Sequence, residues 1–124
     1  MESYKNKADL DAFRRETLNV VVCFSGDPDQ GYQHLKAQLT GAADEIGYHY
    51  VIESDGKILM GRNQNRLGDY HPEYNENSVG IIVAGERDSM ELEQDSALIL
   101  LLDKLQADYP GARSVKYIYR VAQS

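Results

Sequence analysis

Three side chains that could do acid–base or metal chemistry follow one another in the segment DEIGYHYVIESDGKILMGR, residues 44–62. They are Tyr48, His49 and Tyr50. An imidazole changes its charge near neutral pH and binds metals, and a phenol both donates and accepts hydrogen bonds. Strand alternation predicts that His49 faces away from Tyr48, and that Tyr50 shares the face of Tyr48 deeper in the core. We expect His49 to be a packed histidine, hydrogen-bonded through one nitrogen.

A second group of candidates lies in the polar stretch at residues 62–77. A loop of this length in a small domain usually binds something or is disordered. The predicted ligand-binding residues are Tyr48 on the preceding strand and Tyr70, His71, Tyr74 and Asn75 in this loop. Tyrosine and asparagine suit a polar ligand held by hydrogen bonds and ring stacking. The Asn75 amide is equally suited to bond the loop backbone.

The chain has one cysteine, Cys23, in the apolar stretch NVVVCF. One cysteine excludes a disulfide within the chain and a zinc knuckle built from cysteines. Apolar surroundings raise the pKa of a thiol, so we expect Cys23 to be a small buried hydrophobe. A metal site formed by Cys23, His49 and His71 would require His49 on the Cys23 side of the sheet, which strand alternation opposes.

The hydrophobic pattern predicts alternating strands and helices around these residues. Strands are predicted at residues 19–24, 48–53, 57–61, 78–85 and 114–121, and helices at residues 9–14, 29–39 and 89–109. Asp29 is the predicted cap of the second helix, and Asp88 with Glu91 the predicted capping box of the third. The pattern indicates one α/β domain over residues 1–124: a single mixed β-sheet of about five strands with helices packed on both faces.

The net charge and the distribution of apolar residues limit the classes of function that we expect. The formal net charge of -7 predicts repulsion from phosphate backbones, so we expect no nucleic-acid partner. The N-terminal stretch has no apolar run typical of a secretory signal, and no segment has the roughly 20 apolar residues of a membrane helix. These features predict a cytoplasmic protein with no membrane contact.

The hairpin IGYHYVIESDGKILMGR, followed by NENSVGIIVAG, resembles the zinc amidase family. That family includes N-acetylmuramoyl-L-alanine amidases, amidase-type phage lysozymes and peptidoglycan recognition proteins. The resemblance combines the GYH strand, the DG turn, the closing GR and an Asn-x-x-Ser-x-Gly strand, and it extends from Asn19 to about Val121. It implies an α/β amidase-like fold. It also implies a zinc ion, held by two His and a Cys or Asp, that activates water against the bond between muramic acid and L-alanine.

Carried over residue by residue, the resemblance implies that most of the zinc site is missing. Cys23 takes the place of the first ligand, a histidine, and Ile118 or Tyr119 takes the place of the second. The third ligand and an assisting lysine would follow Ser124, so the domain is expected to be truncated at its C-terminus relative to the family. Tyr48 takes the position of the assisting tyrosine.

These observations predict a catalytically inactive amidase-fold protein, with no metal and no cofactor, that binds a polar ligand or a protein partner. A phage or prophage origin fits the compact size. One alternative is an active N-acetylmuramoyl-L-alanine amidase that hydrolyses peptidoglycan with an altered metal site including Cys23. A second alternative is a self-assembling protein that forms a homodimer through the apolar flank of the long helix around Leu100.

Overall fold

A five-stranded sheet occupies the centre of the computed structural model, which describes residues 13–39 and 45–118. The strands are β1 (Asn19–Phe24), β2 (Tyr50–Ile52), β3 (Ile58–Met60), β4 (Ser78–Val83) and β5 (Ser114–Ile118). Their order across the sheet is β3-β2-β4-β1-β5. The β2–β3 hairpin pair is antiparallel, and β2, β4, β1 and β5 run parallel. The predicted mixed sheet of about five strands is confirmed.

In the described part of the chain, an α-helix covers each face of this sheet. Helix α1 (Tyr32–Ala37) lies on one face and helix α2 (Leu92–Asp108) on the other. We call the face under α2 the helix face; its core residues are Val20, Val22, Phe24, Tyr50, Ile52, Val79, Ile81, Val83, Ala97, Leu98, Leu101, Leu105 and Ala112. We call the face under α1 the tyrosine face; its core residues are Val21, Cys23, Ile46, Tyr48, Val51 and Ile82, with Tyr32, Leu35, Leu39, Tyr70, Tyr74 and Ile118 packed against them.

The central strands are buried on both sides because a helix covers each face of the sheet. Every residue of β4 is buried, and in β1 only Asn19 is partly exposed. The side chains of β1 alternate, so Val22 and Phe24 join the helix face while Val21 and Cys23 join the tyrosine face. The apolar run NVVVCF therefore supplies both cores, as its sequence pattern predicts.

The hairpin strand begins two residues later than predicted. Tyr48 and His49 lie in a bend, although the His49 backbone still pairs with Gly80 and Gly61 on the neighbouring chain segments. Tyr48 packs on the tyrosine face, whereas Tyr50 packs on the helix face. The prediction that Tyr50 shares the face of Tyr48 is therefore wrong, because strand alternation does not extend through the bend.

Helix α1 is shorter than predicted and is not capped by Asp29. It begins at Tyr32, with Gly31 at the N-cap position and no side-chain cap. Upstream, the Asp27 carboxylate accepts the Asp29 backbone N–H at 2.9 Å. This local side-chain bond holds residues 27–30 in a turn instead of a first helical turn.

Helix α2 also begins later than predicted. A short 3₁₀ turn covers Arg87–Ser89, and the capping box is formed by Glu91 and Gln94 instead of Asp88 and Glu91. The Glu91 side chain accepts a backbone N–H of the first turn, and the Gln94 side chain accepts the Glu91 N–H. Within the described residues, no helix is long and apolar enough to cross a membrane.

The first described residues pair with the loop after the hairpin. Phe13 forms an isolated antiparallel bridge with Arg66, and the Arg14 N–H donates to the Asn65 carbonyl at 2.8 Å. These two residues are therefore not helical, and the remainder of the helix predicted from Asp9 lies outside the described residues.

Candidate functional site

Cys23 and Ile118 lie side by side on adjacent strands. They are register partners in the parallel β1–β5 pair, and both pack on the tyrosine face. Cys23 is 2% exposed, and burial raises the pKa of its thiol to about 11, although a hydrogen bond with Tyr48 lowers it. The sulfur is therefore a protonated thiol at neutral pH, and it is the thiolate that binds metals and attacks electrophiles.

Tyr48 covers Cys23. Its side chain is 5% exposed, and burial raises the pKa of the phenol above its ordinary value. The ring stacks on Tyr70 with 5.1 Å between centroids and 27° between planes. Tyr48 therefore belongs to the core of the tyrosine face and closes the space above the thiol.

Tyr70 is seated between two glycines. A Cβ atom at Gly68 would lie 2.4 Å from a carbon of the Tyr70 ring, and one at Gly80 would lie 2.5 Å from it. No real Cβ approaches a ring this closely, so both positions need glycine for the ring to pack flat against the backbone. Gly80 belongs to the Asn-x-x-Ser-x-Gly motif, whose glycine thus admits the second tyrosine of the stack.

His49 is fully buried, and both of its ring nitrogens form hydrogen bonds with backbone groups. The Gly80 N–H donates to Nδ1 at 2.9 Å, so Nε2 carries the proton and donates to the Arg66 carbonyl at 2.7 Å. Burial lowers the pKa of the imidazole to about 3, with smaller contributions from the cations of Arg14 and Arg62. The expectation of a packed histidine is confirmed, with both nitrogens bonded instead of one.

The loop at residues 62–77 is organised by Asn75. This side chain is 1% exposed, and its Oδ1 accepts the backbone N–H groups of Tyr70 and His71, each at 2.9 Å. The amide oxygen thereby shapes the loop, and a ligand contact by Asn75 remains a prediction. His71 and Tyr74 are half-buried at the edge of the tyrosine face, with 5.1 Å between their ring centroids.

A pocket of about 220 Å³ lies beside the stacked tyrosines. Its lining residues are Leu35, Gln38, Leu39, Ile46, Gly47, Tyr48, Asp69 and Tyr70. Burial raises the pKa of the Asp69 carboxyl. Of the five predicted ligand-binding residues, Tyr48 and Tyr70 therefore meet at this pocket, whereas His71 and Tyr74 pair with each other at the loop edge.

Arg62 is a positioning residue that our sequence reasoning did not identify. It is 3% exposed, and its guanidinium donates to the carbonyls of Ile46 (2.7 Å), Leu67 (2.9 Å) and Glu45 (3.3 Å). A planar guanidinium with several donors can join separate chain segments in this way. Arg62 thereby holds the residues that precede the hairpin against the loop that follows it. In the sequence, its place in the closing GR of the hairpin is the only signal of this role.

Comparison with known proteins establishes the family. The family model described as N-acetylmuramoyl-L-alanine amidase matches residues 14–120. The chain belongs to this amidase family. It is 35% identical to the endolysin of Enterobacteria phage K11 over 75 residues, which cover 55% of this chain and 50% of that protein. The chain thus spans about half the length of the curated relatives it matches.

Solved structures show the same amidase fold. The Drosophila peptidoglycan recognition protein SD superposes with a TM-score of 0.67 at 21% identity, covering 92% of this chain and 76% of that one. The Ph2119 endolysin from a bacteriophage of Thermus scotoductus gives a TM-score of 0.66 at 25% identity, covering 86% and 75%. The predicted amidase-like architecture is confirmed.

The residues of this amidase-family chain do not fit the zinc ion that the resemblance implies. Zinc needs several nitrogen, sulfur or oxygen ligands around one point. The resemblance assigns the first ligand position to Cys23, a buried thiol, and the second to Ile118, a hydrocarbon, or to Tyr119, which lies outside the described residues. Within residues 13–39 and 45–118, no three His, Cys, Asp or Glu side chains come together as a metal site.

Proposed function

We propose that this amidase-family chain binds peptidoglycan fragments without hydrolysing them by zinc chemistry. One observation carries the proposal: Cys23 and Ile118, which the resemblance assigns to ligand positions (the second shared with Tyr119), are neighbours in a buried cluster that includes Tyr48. Hydrolysis in the family needs a metal with an open position for water. A protonated thiol beside an isoleucine offers neither the ligands nor the open position.

The binding half of the proposal rests on the pocket beside Tyr48 and Tyr70 and on the loop above it. The pocket combines ring faces and aliphatic side chains with the Asp69 carboxyl, and the His71–Tyr74 pair lies at the edge of the same sheet face. Such a mixture suits a polar ligand that is both stacked and hydrogen-bonded. Relatives named as peptidoglycan recognition proteins and endolysins support peptidoglycan as the ligand class.

Co-sedimentation with insoluble peptidoglycan tests both halves in one set of samples. We expect the protein to sediment with peptidoglycan and to release no soluble peptide above background, whether zinc is added or chelated. Tyr74→Ala should weaken sedimentation several-fold, because the loop edge loses a ring that contacts His71. Tyr117→Ala, which removes an exposed ring from β5, is the matched control and should leave sedimentation unchanged.

Two results would contradict the proposal. Release of peptides that a chelator abolishes would establish the alternative, an active amidase with an altered metal site. Failure of the folded wild-type protein to sediment with peptidoglycan would remove the binding half.

A further inference from the structure

An apolar groove lies on the side of the sheet opposite Cys23. It runs between the turn of the β2–β3 hairpin and helix α2 and has a volume of about 540 Å³. Its lining residues are Gly56, Ile58, Leu92, Glu93, Ser96, Ala97 and Leu100. The peptidoglycan proposal uses none of these residues.

The groove is part of a larger exposed apolar surface. Leu92 is 76% exposed and Leu100 is 68% exposed. Among the large exposed hydrophobic side chains of the described residues, Ile58, Leu92 and Leu100 line the groove, and Met60 lies on the same strand as Ile58. Ile58 and Met60 pair with Ile52 and Tyr50 of the helix-face core, so they extend the sheet toward the groove. A concentrated apolar surface of this kind marks an interaction site, whereas scattered single residues do not.

The walls of the groove are held together. Gly56 adopts a φ of +88°, and a Cβ atom there would lie 2.7 Å from the Glu93 carbonyl oxygen, so the turn packs directly on α2. The Gln94 side-chain amide donates to the carbonyls of Glu53 (3.1 Å) and Ala84 (2.7 Å). These contacts fix the hairpin against the helix, so a partner would not need to order the groove on binding.

The charged residues in and beside the groove lining are mainly negative: Glu93 lines the groove, and Asp55, Glu91 and Asp95 adjoin lining residues in the sequence, as does one cation, Lys57. Helix α2 and its cap carry five carboxylates and one lysine: Glu91, Glu93, Asp95, Asp103, Asp108 and Lys104. Lys104, the lysine of this helix, already pairs with Asp108 at 2.7 Å. Two copies of this helix would bring like charges together, and the whole chain carries a net charge of -7. A second copy is therefore a poor occupant, and a cationic partner is a good one.

We propose that this groove binds an amphipathic segment of another protein, with apolar side chains against Ile58, Leu92 and Leu100 and lysine or arginine residues near Glu93. An apolar face laid into a groove is a common mode of peptide recognition. Opposite charges at the rim would select this partner over acidic ones. The site is separate from the tyrosine face and does not depend on peptidoglycan binding.

Two synthetic peptides of about 15 residues test the proposal by fluorescence anisotropy. Both carry the same leucines at helical spacing; one has lysines and the other glutamates at the flanking positions. We expect the lysine peptide to bind the full chain, with an affinity that falls as salt rises, and the glutamate peptide to bind at least about tenfold more weakly.

Neighbouring residues supply matched variants. Leu100→Ser should weaken binding of the lysine peptide about tenfold or more, whereas Ile99→Ser, at an exposed residue outside the groove lining, should change it less than about twofold. Glu93→Gln should weaken binding more than Asp95→Asn, although both remove a carboxylate from the first turn of α2. Circular dichroism before each titration establishes that the variants are folded.

Three outcomes would overturn the proposal. The first is no binding of the lysine peptide up to about 1 mM, the range of a very weak complex. The second is equal binding of both peptides, or equal effects of the Leu100 and Ile99 substitutions. The third is a concentration-dependent dimer in sedimentation that Leu100→Ser abolishes, which would assign the groove to a second copy of this chain.

Discussion

The two faces of the sheet place polar and apolar groups in opposite ways. On the tyrosine face, a thiol and two phenols are packed into the interior: Cys23 and Tyr48 belong to one buried cluster, and Tyr70 stacks on Tyr48. On the helix face the interior is mainly aliphatic apart from the rings of Phe24 and Tyr50, but leucines also project outward from α2, with Leu100 68% exposed. The side chains most suggestive of chemistry are therefore interior, and the most exposed apolar side chains lie on the opposite side of the molecule.

This difference shows how polar side chains can form part of a protein interior. A buried polar group destabilises a fold unless its hydrogen bonds are satisfied. Burial raises the pKa of both Tyr48 and Cys23, so both stay neutral, and both His49 nitrogens bond to backbone groups. In contrast, nothing within the described residues covers Leu92 and Leu100, so burial on a partner would stabilise that side of α2.

The largest expected effect is on the tyrosine face. Tyr48→Ala should lower the free energy of unfolding by about 3–5 kcal/mol, because it leaves a cavity above Cys23. Tyr74→Ala, at the half-buried loop edge, should cost about 1 kcal/mol or less. Urea unfolding followed by circular dichroism measures both. A small loss for Tyr48→Ala would show that this ring lines an open groove in solution.

The next largest effect is a pH dependence of the free energy of unfolding, which arises from His49. Its pKa is lowered to about 3 in the folded state from 6.5, so between these values the unfolded chain binds a proton that the folded chain excludes. The stability contributed by the neutral imidazole is therefore present above about pH 6.5 and is lost as the pH falls. At pH 5 the loss should be about 2 kcal/mol relative to pH 7.

Urea unfolding at a series of pH values measures this dependence. His49→Gln carries no titratable group at this position and should show a flatter profile between pH 7 and 5, whatever its stability at pH 7. Parallel profiles for the two proteins would contradict the buried, neutral state of His49.

A smaller change in stability tests the interaction of the Tyr48 hydroxyl with Cys23. Tyr48→Phe keeps the ring and its stacking on Tyr70 but removes the hydroxyl, so we expect a loss of about 1 kcal/mol in the free energy of unfolding. Tyr74→Phe serves as the control and should be close to neutral. Equal stability of Tyr48→Phe and wild type would show that the hydroxyl is not bonded to the thiol.

The smallest effect is expected on the outer side of α2. Leu100→Ser should change stability by about 0.5 kcal/mol or less, whereas Leu101→Ala, one residue further, should cost about 2–5 kcal/mol. Thermal unfolding of the two variants measures the contrast. A large loss for Leu100→Ser would mean that this leucine is covered in solution even without a partner.

Regular elements could be predicted from the sequence because their patterns are local. The β-branched run of β1 and the SVGIIV run of β4 predict buried strands, and the DG turn predicts the hairpin. The burial of Cys23 also follows from its apolar neighbours. In these segments the residue types and the tertiary environment favour the same conformation.

Irregular and long-range features could not be predicted. The bend at Tyr48 and His49 ends the strand pattern, and with it the alternation that would place Tyr50. Arg62 acts on carbonyls 5 to 17 residues away, and no local spacing encodes such contacts. The packing of the Tyr70 ring likewise depends on Gly68 and Gly80, which are distant in the sequence and come together only in the fold.

A zinc titration of the purified full chain tests the proposed absence of zinc chemistry most directly. Calorimetry at neutral pH, with elemental analysis after dialysis, measures how many zinc ions the protein holds. We expect no stoichiometric zinc, and we expect Cys23→His to remain unable to hold it, because one ligand beside Ile118 does not make a site. About one zinc ion per chain retained by the wild-type protein after dialysis would contradict the account.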